Sequence, residues 1–255
     1  MRCAGVDIGS RAVKVTLLDD GRLRAHKLAP GGWDPLKVCD DLLAGERWDA
    51  LAVTGYGRHL GARHYGCPAL TEIKAVARGA ALLHPEVRGV VDIGGQDTKA
   101  IRLDERGRLQ KFVMNDRCAA GTGRFLEVMA TAMGLRLEEF VAAALAADGA
   151  ESLSSMCAVF AESEVISHIA RGAGREGLAL GIHRSVVQRT LALVRGLELE
   201  GPLLFTGGGA LNACLVRELS LQLELLLPEH AQHVASLGCA LSASIPETVF
   251  SASGS

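Results

Sequence analysis

The sequence predicts an α/β protein with a duplicated fold, in which two α/β domains each carry one copy of a strand–turn–strand unit. Two observations predict this architecture. The unit occurs twice in the chain, and the apolar runs around the copies alternate between short strands and longer helical segments. The expected domains span residues 1–88 and 89–250, the final helix being free to pack back onto the first domain, and residues 251–255 form a frayed tail.

The two copies are VDIGSRAVKVTLLDDGRL, starting at Val6, and VDIGGQDTKAIRLDERGRL, starting at Val91. They align with one inserted residue near the end of the second copy, and the matching pairs are Asp7–Asp92, Gly9–Gly94, Lys14–Lys99 and Asp19–Asp104. Each copy is typical of a β-hairpin with glycine at the tip, where positive φ or close backbone approach is needed. Such units are common, but agreement over this many positions favours duplication over chance.

The other elements follow from the period of the apolar residues and from the turn residues between them. Strands are expected at 50–54, 112–114 and 202–206. Helices are expected at 34–43, 72–83, 123–133, 137–147, 154–170, 183–197, 210–221 and 238–243.

Composition excludes several classes of protein. The formal net charge is −2 and aromatic residues make up only 4% of the chain, which argues against nucleic acid as a partner. No apolar run approaches the ~18 residues of a membrane span, and the chain enters a strand at once instead of a leader. We therefore expect a soluble, cytoplasmic protein without a membrane partner.

The hairpin tips combine bare amides with an acidic residue, which suits a phosphate group. Amides hydrogen-bond phosphate oxygens, and Asp7 and Asp92 can hold Mg²⁺ directly or through its waters. The candidate residues are Asp7, Gly9, Ser10, Arg11, Ala12, Lys14, Asp92, Gly94, Gly95 and Gln96. Lys14 and Lys99 could both reach phosphate, but alternation along the hairpins can instead leave either on a solvated strand face, which is the position favoured for Lys99.

A third glycine-rich turn, FTGGGALN, begins at Phe205 and links a strand to a helix. Its Gly207 and Gly208 would let the backbone approach a ring or a ribose closely, although such turns often serve only packing. Asn212 either faces the nucleotide or caps the helix. No GxxxxGK[ST] motif occurs, which excludes a P-loop.

Two hairpins followed by a GGG turn resemble the ATPase superfamily of sugar kinases, heat-shock chaperones and actin. This resemblance implies a duplicated actin-like (ribonuclease-H-like) fold that binds ATP or ADP with Mg²⁺ in the cleft between two domains. Gln96 and Asp97 extend the second phosphate turn and are the candidates for orienting the attacking water. Asp97 is equally suited to capping that turn.

Five further motifs resemble the BadF/BadG/BcrA/BcrD ATPase family, in particular the activators of 2-hydroxyacyl-CoA dehydratases. They are MNDRCAAGTGRFLEVMA from Met114, SSMCAVFAESEVISHIARG from Ser154, TGYGR from Thr54, DIGGQDTK from Asp92 and GIHRSV from Gly181. The resemblance implies that Cys118 and Cys157 are ligands of one [4Fe-4S] cluster shared by a homodimer.

The residues around the two cysteines suit this role. Cys118 precedes a helix that begins near Gly121, and Cys157 follows two serines that can cap a helix. Helix N-termini lower thiol pKa values and stabilise anionic sulfur. Without the resemblance, both would be interpreted as ordinary buried thiols, which is the role expected for Cys3, Cys39, Cys67, Cys214 and Cys239.

The resemblance implies an electron-transfer ATPase, with a ferredoxin or flavodoxin as donor and a dehydratase or reductase as acceptor. An alternative within the family is an ATPase subunit of a benzoyl-CoA-reductase-like complex. An alternative of another class is a small-molecule kinase or nucleotide sensor that shares only the fold. Glu162 and Glu164 are expected at solvated or interface positions, and His168 and His183 on helix surfaces or at caps.

Overall fold

A computed structural model of the chain describes residues 1–115, 119–153 and 158–243. These residues form two compact units. The first comprises Met1–Val87, Leu103–Leu109 and the described residues from Gln232 onward, and the second comprises Arg88–Arg102 and Gln110–Ala231. No helix in the described ranges is long and apolar enough to cross a membrane.

The first unit is built on a four-stranded sheet. Its strands are β1 (Arg2–Ile8), β2 (Ala12–Asp19), β3 (Arg22–Pro30) and β4 (Ala50–Thr54), in the order β3-β2-β1-β4. Strand β1 runs antiparallel to β2 and parallel to β4. Asp20 and Gly21 form the tight turn between β2 and β3, with φ of 48° and 76°. Positive φ at both central positions is typical of the two-residue type I′ turns of β-hairpins, which favour Asp-Gly.

The helices of the first unit are α1 (Pro35–Leu43), α2 (Arg58–Tyr65), α3 (Glu72–Leu83) and the C-terminal α9 (Val234–Ala243). The side chains of Asp34 and Thr71 accept hydrogen bonds from the first-turn amides of α1 and α3, as N-caps do. Helix α9 packs on β1 and on α3. Helices α9 and α3 cross so closely that a Cβ atom on Gly238 would overlap the carbonyl of Ala75, so this position requires glycine.

The second unit is built on a five-stranded sheet of order β7-β6-β5-β8-β9. The strands are β5 (Gly89–Ile93), β6 (Thr98–Leu103), β7 (Leu109–Asn115), β8 (Leu203–Thr206) and β9 (Leu225–Leu226). The helices are α4 (Gly123–Ala132), α5 (Leu137–Ala146), α6 (Ala158–Ala170), α7 (Arg175–Gly196) and α8 (Ala213–Ser220), with a 3-10 helix at Gly208–Leu211. Its apolar core contains the buried rings of Phe125, Phe140 and Phe205.

The element boundaries differ from expectation in a few places. Helix α7 begins at Arg175, eight residues before the expected start at 183. The sequence did not predict this first part of the helix because Gly174, Gly177 and Gly181 interrupt the apolar pattern there. Gly181 is a packing residue, since a Cβ there would overlap the carbonyl of Glu151. Strand β3 and helix α2 were not expected, and both are rich in basic side chains that hide the apolar period.

Candidate functional site

The first hairpin places Asp7 directly opposite Lys14 across β1 and β2. The two side chains lie on the same face of the sheet, and the Lys14 Nζ is 2.9 Å from the Asp7 Oδ2. Asp7 is 2% exposed, and its second oxygen, Oδ1, has no hydrogen-bond partner among the described residues. A buried carboxylate oxygen without a partner is costly, so this atom suits a cation or an ordered water.

The tip of the first hairpin brings the other predicted residues together. The Gly9 amide donates to the Ala12 carbonyl over 3.1 Å, and a Cβ on Gly9 would lie 2.9 Å from that oxygen. Close approach is therefore the reason for glycine here, since its φ is not positive. Ser10 is half-buried and Arg11 is exposed at the same tip.

The second hairpin repeats the pairing, with Asp92 directly opposite Lys99 across β5 and β6. The Lys99 Nζ lies 2.7 Å from the Asp97 Oδ1 and 3.5 Å from the Asp92 Oδ1. The expectation that Lys99 faces solvent is wrong, because this side chain is 2% exposed. Cross-strand partners share a face, so the matching pair in the first copy was the signal that could have placed it.

The two residues predicted to orient water lie in different surroundings. Asp97 is 4% exposed and its carboxylate is paired with Lys99, whereas Gln96 is exposed at the tip of the turn. The Gly94 amide donates to the Asp97 carbonyl over 2.9 Å. This geometry gives Asp97 a part in holding the turn and leaves Gln96 as the candidate that a water can reach.

The second phosphate turn is bonded to the start of α4. The Gly94 carbonyl accepts from the Gly123 amide and the Gly95 carbonyl from the Arg124 amide, both over 2.9 Å. The Thr98 hydroxyl donates to the Gly121 carbonyl over 2.7 Å. The segment that follows Cys118 is thus anchored to the turn by two hydrogen bonds and to the start of β6 by a third.

Cys118 and Cys157 themselves lie outside the described residues. The helices that follow them, α4 and α6, pack against each other, with Phe125 and Val165 in the shared core. On α6, Glu162 is exposed and Glu164 and His168 are half-buried, as expected for surface positions.

The third turn lies beside the second hairpin, because β8 runs parallel to β5 and sets Thr206 next to Asp92. The Thr206 hydroxyl donates to the Asp92 Oδ2 over 2.7 Å, a contact that the motif analysis did not anticipate. Gly207 has φ of 82°, and a Cβ on it would lie 2.5 Å from the Ile93 carbonyl. Gly208 is exposed at the tip, which leaves its backbone open to a ligand.

Asn212 follows this turn and caps α8. Its Oδ1 accepts from the amides of Cys214 and Leu215, both over 3.0 Å, and its Nδ2 lies 3.1 Å from the His183 Nε2. The capping role expected as one alternative is therefore present. The expectation that His183 lies on a helix surface is wrong, because its ring is fully buried and stacked on Phe140.

The first unit contains a counterpart of the GGG turn that sequence reasoning missed. Thr54 pairs with Asp7 as Thr206 pairs with Asp92, and Gly55 has φ of 86°, close to that of Gly207. The shared spacing in TGYG and TGGG was the available signal. In the first unit the exposed Tyr56 takes the place of Gly208.

The remaining thiols are packing residues, as expected. Cys3, Cys39, Cys214 and Cys239 are buried and Cys67 is half-buried. Burial raises the pKa of Cys214 to about 11 and that of Cys39 to about 12. Such thiols are inert at neutral pH.

The BadF/BadG/BcrA/BcrD ATPase family model matches residues 37–243. The chain belongs to this family. The family predicted from the motifs is thus confirmed, and the ATPase activity and the duplicated actin-like fold are confirmed with it. This ATPase is 38% identical over 256 residues to a relative from Clostridioides difficile named 2-hydroxyisocaproyl-CoA dehydratase activator, with 95% of each chain covered.

Two further comparisons also cover most of both chains. A benzoyl-CoA reductase subunit of Thauera aromatica is 36% identical over 232 residues, which are 85% of this chain and 81% of the relative. The structure of the activator of the 2-hydroxyisocaproyl-CoA dehydratase from Clostridium difficile with bound ADPNP is similar with a TM-score of 0.87 and 38% identity. That match covers 95% of this chain and 94% of the other.

Proposed function

We propose that the protein is an ATP-hydrolysing activator that passes low-potential electrons to a 2-hydroxyacyl-CoA dehydratase or a related reductase. The observation that carries the proposal is the pair of hydrogen bonds from the Gly123 and Arg124 amides to the Gly94 and Gly95 carbonyls. These bonds join the second phosphate turn to the segment after Cys118. A rearrangement of the turn on hydrolysis therefore acts on that segment directly.

Nucleotide binding is supported by the turns of each unit taken separately. In the second unit, the Gly94–Gly95 turn is proposed to receive phosphate, and the Gly207–Gly208 turn adenosine. In the first, the tip at Gly9 to Ala12 is proposed to contact phosphate together with Lys14. Backbone amides in tight turns suit phosphate oxygens.

Asp7 in the first unit and Asp92 in the second are each proposed, within their own unit, as residues that hold Mg²⁺ directly or through its waters. The Asp7 Oδ1, buried without a hydrogen-bond partner among the described residues, suits a metal ion or a metal-bound water. Mg²⁺ supplies charge neutralisation at the phosphates. Gln96, exposed beside the phosphate turn, is proposed to orient the attacking water, while Asp97 keeps Lys99 and the turn in place.

The cluster is proposed to be bound by Cys118 and Cys157 from each of two chains. A [4Fe-4S] cluster takes four thiolates, so two per chain require a partner, and a two-fold axis supplies them symmetrically. The cluster would supply the group that accepts and releases one electron. Phe160, Ile166 and Ile169 on α6 are 68%, 55% and 46% exposed, and they support an apolar contact with a second copy.

The electron donor is proposed to be a ferredoxin or flavodoxin. The electron acceptor is proposed to be a dehydratase, since a relative with 38% identity carries the name of a dehydratase activator. A benzoyl-CoA-reductase-like assembly is the second candidate, supported by the Thauera aromatica relative. It would require a non-identical ATPase partner, so purification from the native cell distinguishes a homodimer from a hetero-oligomer. Family membership favours both over a kinase or sensor.

The test is an anaerobic assay with dithionite-reduced protein, a 2-hydroxyacyl-CoA dehydratase and MgATP. We expect ATP to support dehydration and the non-hydrolysable ADPNP not to support it. Asp92→Asn should lower the ATP hydrolysis rate by about 100-fold, the scale seen when one group that stabilises transition-state charge is removed. The exposed Asp41→Asn serves as the surface-carboxylate control. Dehydratase activation with ADPNP, or wild-type turnover by Asp92→Asn, would contradict the proposal.

A further inference from the structure

We propose that His183 is a positioning residue for nucleotide binding, which orients the side-chain amide of Asn212 and thereby fixes the Gly207–Leu211 turn. The inference rests on the proposed adenosine-binding role of that turn. His183 lies on α7, the helix before β8, and is separated by 29 residues in sequence from Asn212.

Asn212 is the single residue between the 3-10 helix Gly208–Leu211 and α8. Its backbone amide donates to the Gly209 carbonyl over 3.1 Å, which closes the 3-10 helix. Its side-chain Oδ1 caps α8 through the amides of Cys214 and Leu215. Because one residue serves both elements, a rotation of its amide group would displace the glycine turn from α8.

His183 determines which way that amide group faces. Its Nδ1 lies 2.8 Å from the Ala179 carbonyl, which can only accept, so Nδ1 carries the proton. The Nε2 is then an acceptor, and it takes a hydrogen bond from the Asn212 Nδ2 over 3.1 Å. The Oδ1 is left to cap α8, so the tautomer of the ring and the orientation of the amide agree with each other.

The ring cannot turn away from this contact. It is fully buried, and it stacks on Phe140 of α5 with ring centroids 4.7 Å apart. Burial lowers the pKa of His183 to about 4, so the ring is neutral and Nε2 stays an acceptor at working pH. The charged groups that act on it, Glu218 and Arg217 of α8, have opposite effects on its pKa.

Simple packing does not account for this arrangement. A phenylalanine would stack on Phe140 equally well, whereas a buried imidazole is costly unless both nitrogens are hydrogen-bonded. Both ring nitrogens are hydrogen-bonded here, and the partner of Nε2 is Asn212, the residue that ends the glycine turn. The hydrogen bond to Asn212 therefore explains why this position carries a histidine, whereas stacking on Phe140 alone does not.

The experiment compares the dissociation constants for ATP and ADP, kcat at saturating ATP, and Tm. His183→Phe keeps the stacked ring and removes the acceptor, and His183→Gln restores an acceptor near Nε2. Thr190→Val is the matched control, because Thr190 is buried on the same helix and its hydroxyl donates to the Val186 carbonyl of that helix. Losing one buried hydrogen bond predicts about tenfold weaker ATP binding for His183→Phe with kcat within about twofold.

His183→Gln should bind within about threefold of wild type, and Thr190→Val should bind as wild type. Asn212→Asp gives a second test, since it places an acceptor against Nε2 and His183 must then take up a proton. Relative to the wild type measured at the same pH, ATP binding by that variant should strengthen as the pH is lowered.

The inference would be overturned if His183→Phe had the same dissociation constant for ATP as the wild type. It would also be overturned if His183→Phe bound ATP as tightly as Thr190→Val when the two variants have the same Tm. An affinity of Asn212→Asp, relative to the wild type, that does not change with pH would overturn it too, even if His183→Phe fails to fold. Wild-type protein that binds no ATP would instead overturn the proposed function, and the inference with it.

Discussion

The buried cation at Lys99 should be essential for the stability of the second unit. Lys99→Met keeps the apolar stem but removes the ammonium group, and it leaves Asp92 and Asp97 buried side by side. With an effective dielectric constant of about 20, the separations of 2.7 and 3.5 Å correspond to attractions on the order of 6 and 5 kcal/mol. Most of this attraction offsets the cost of desolvating the charges.

The net cost is therefore smaller than the attraction. Breaking a buried ion pair by removing one partner typically costs ~3–5 kcal/mol, and we expect a loss of this size at pH 7. Lys37→Met is the matched control, because the Lys37–Asp41 pair is 72% and 68% exposed and such pairs contribute about 0.5 kcal/mol.

Hydrogen exchange of peptides from β5 and β6 during urea unfolding is the suitable assay. Both tryptophans, Trp33 and Trp48, lie in the first unit, so their fluorescence does not report on the second. We expect a large loss of protection for Lys99→Met and almost none for Lys37→Met. A loss below about 1 kcal/mol for Lys99→Met, similar to a surface change, would refute the buried-cluster reasoning.

Three further predictions concern other parts of the molecule. Gly207→Ala should weaken ATP binding at least about tenfold and cost ~1–3 kcal/mol, because its Cβ would lie 2.5 Å from the Ile93 carbonyl. Gly201→Ala, with φ of 72° and no atom within 4 Å, should keep full affinity in the same titration. For His183, the folded pKa of about 4 lies below the unfolded value of about 6.5, so stability present above pH 6.5 is lost as pH falls toward 4. Urea unfolding should show on the order of 2 kcal/mol lost between pH 7 and pH 5, and His183→Phe should lack that part. Finally, mass spectrometry after brief maleimide treatment at pH 7.5 should find Cys39 and Cys214 unmodified in the native protein, since their pKa values are near 12 and 11; rapid labelling of either would contradict their buried placement.

The duplicated hairpins could be predicted because their signal is local. The matching positions Asp7 and Asp92 recur with the same neighbours, and each lies one residue before the end of a buried strand, opposite a lysine. The sequence also indicated the glycine turn at Gly207, where close approach to Ile93 leaves no room for a side chain.

His183 and Thr206 depend on contacts that are distant in sequence, whereas Lys99 is paired with two carboxylates near it in the chain. Lys99 was placed on a solvated face from the alternation along the hairpin, whereas its pairing with Asp92 and Asp97 makes burial possible. His183 was misplaced because its partner Asn212 lies in another element. Thr206 was missed because its hydrogen bond to Asp92 depends on the parallel register of β5 and β8.

The central claim is tested most directly by anaerobic iron and sulfide analysis with EPR spectroscopy of dithionite-reduced protein. Cys118→Ser and Cys157→Ser are the test variants, and Cys214→Ser, a buried thiol outside the proposed ligand set, is the control. We expect about four irons and four sulfides per two chains, with an EPR signal that is lost in both test variants and kept in the control. Wild-type protein that hydrolyses ATP but remains iron-free after anaerobic reconstitution would contradict the electron-transfer function.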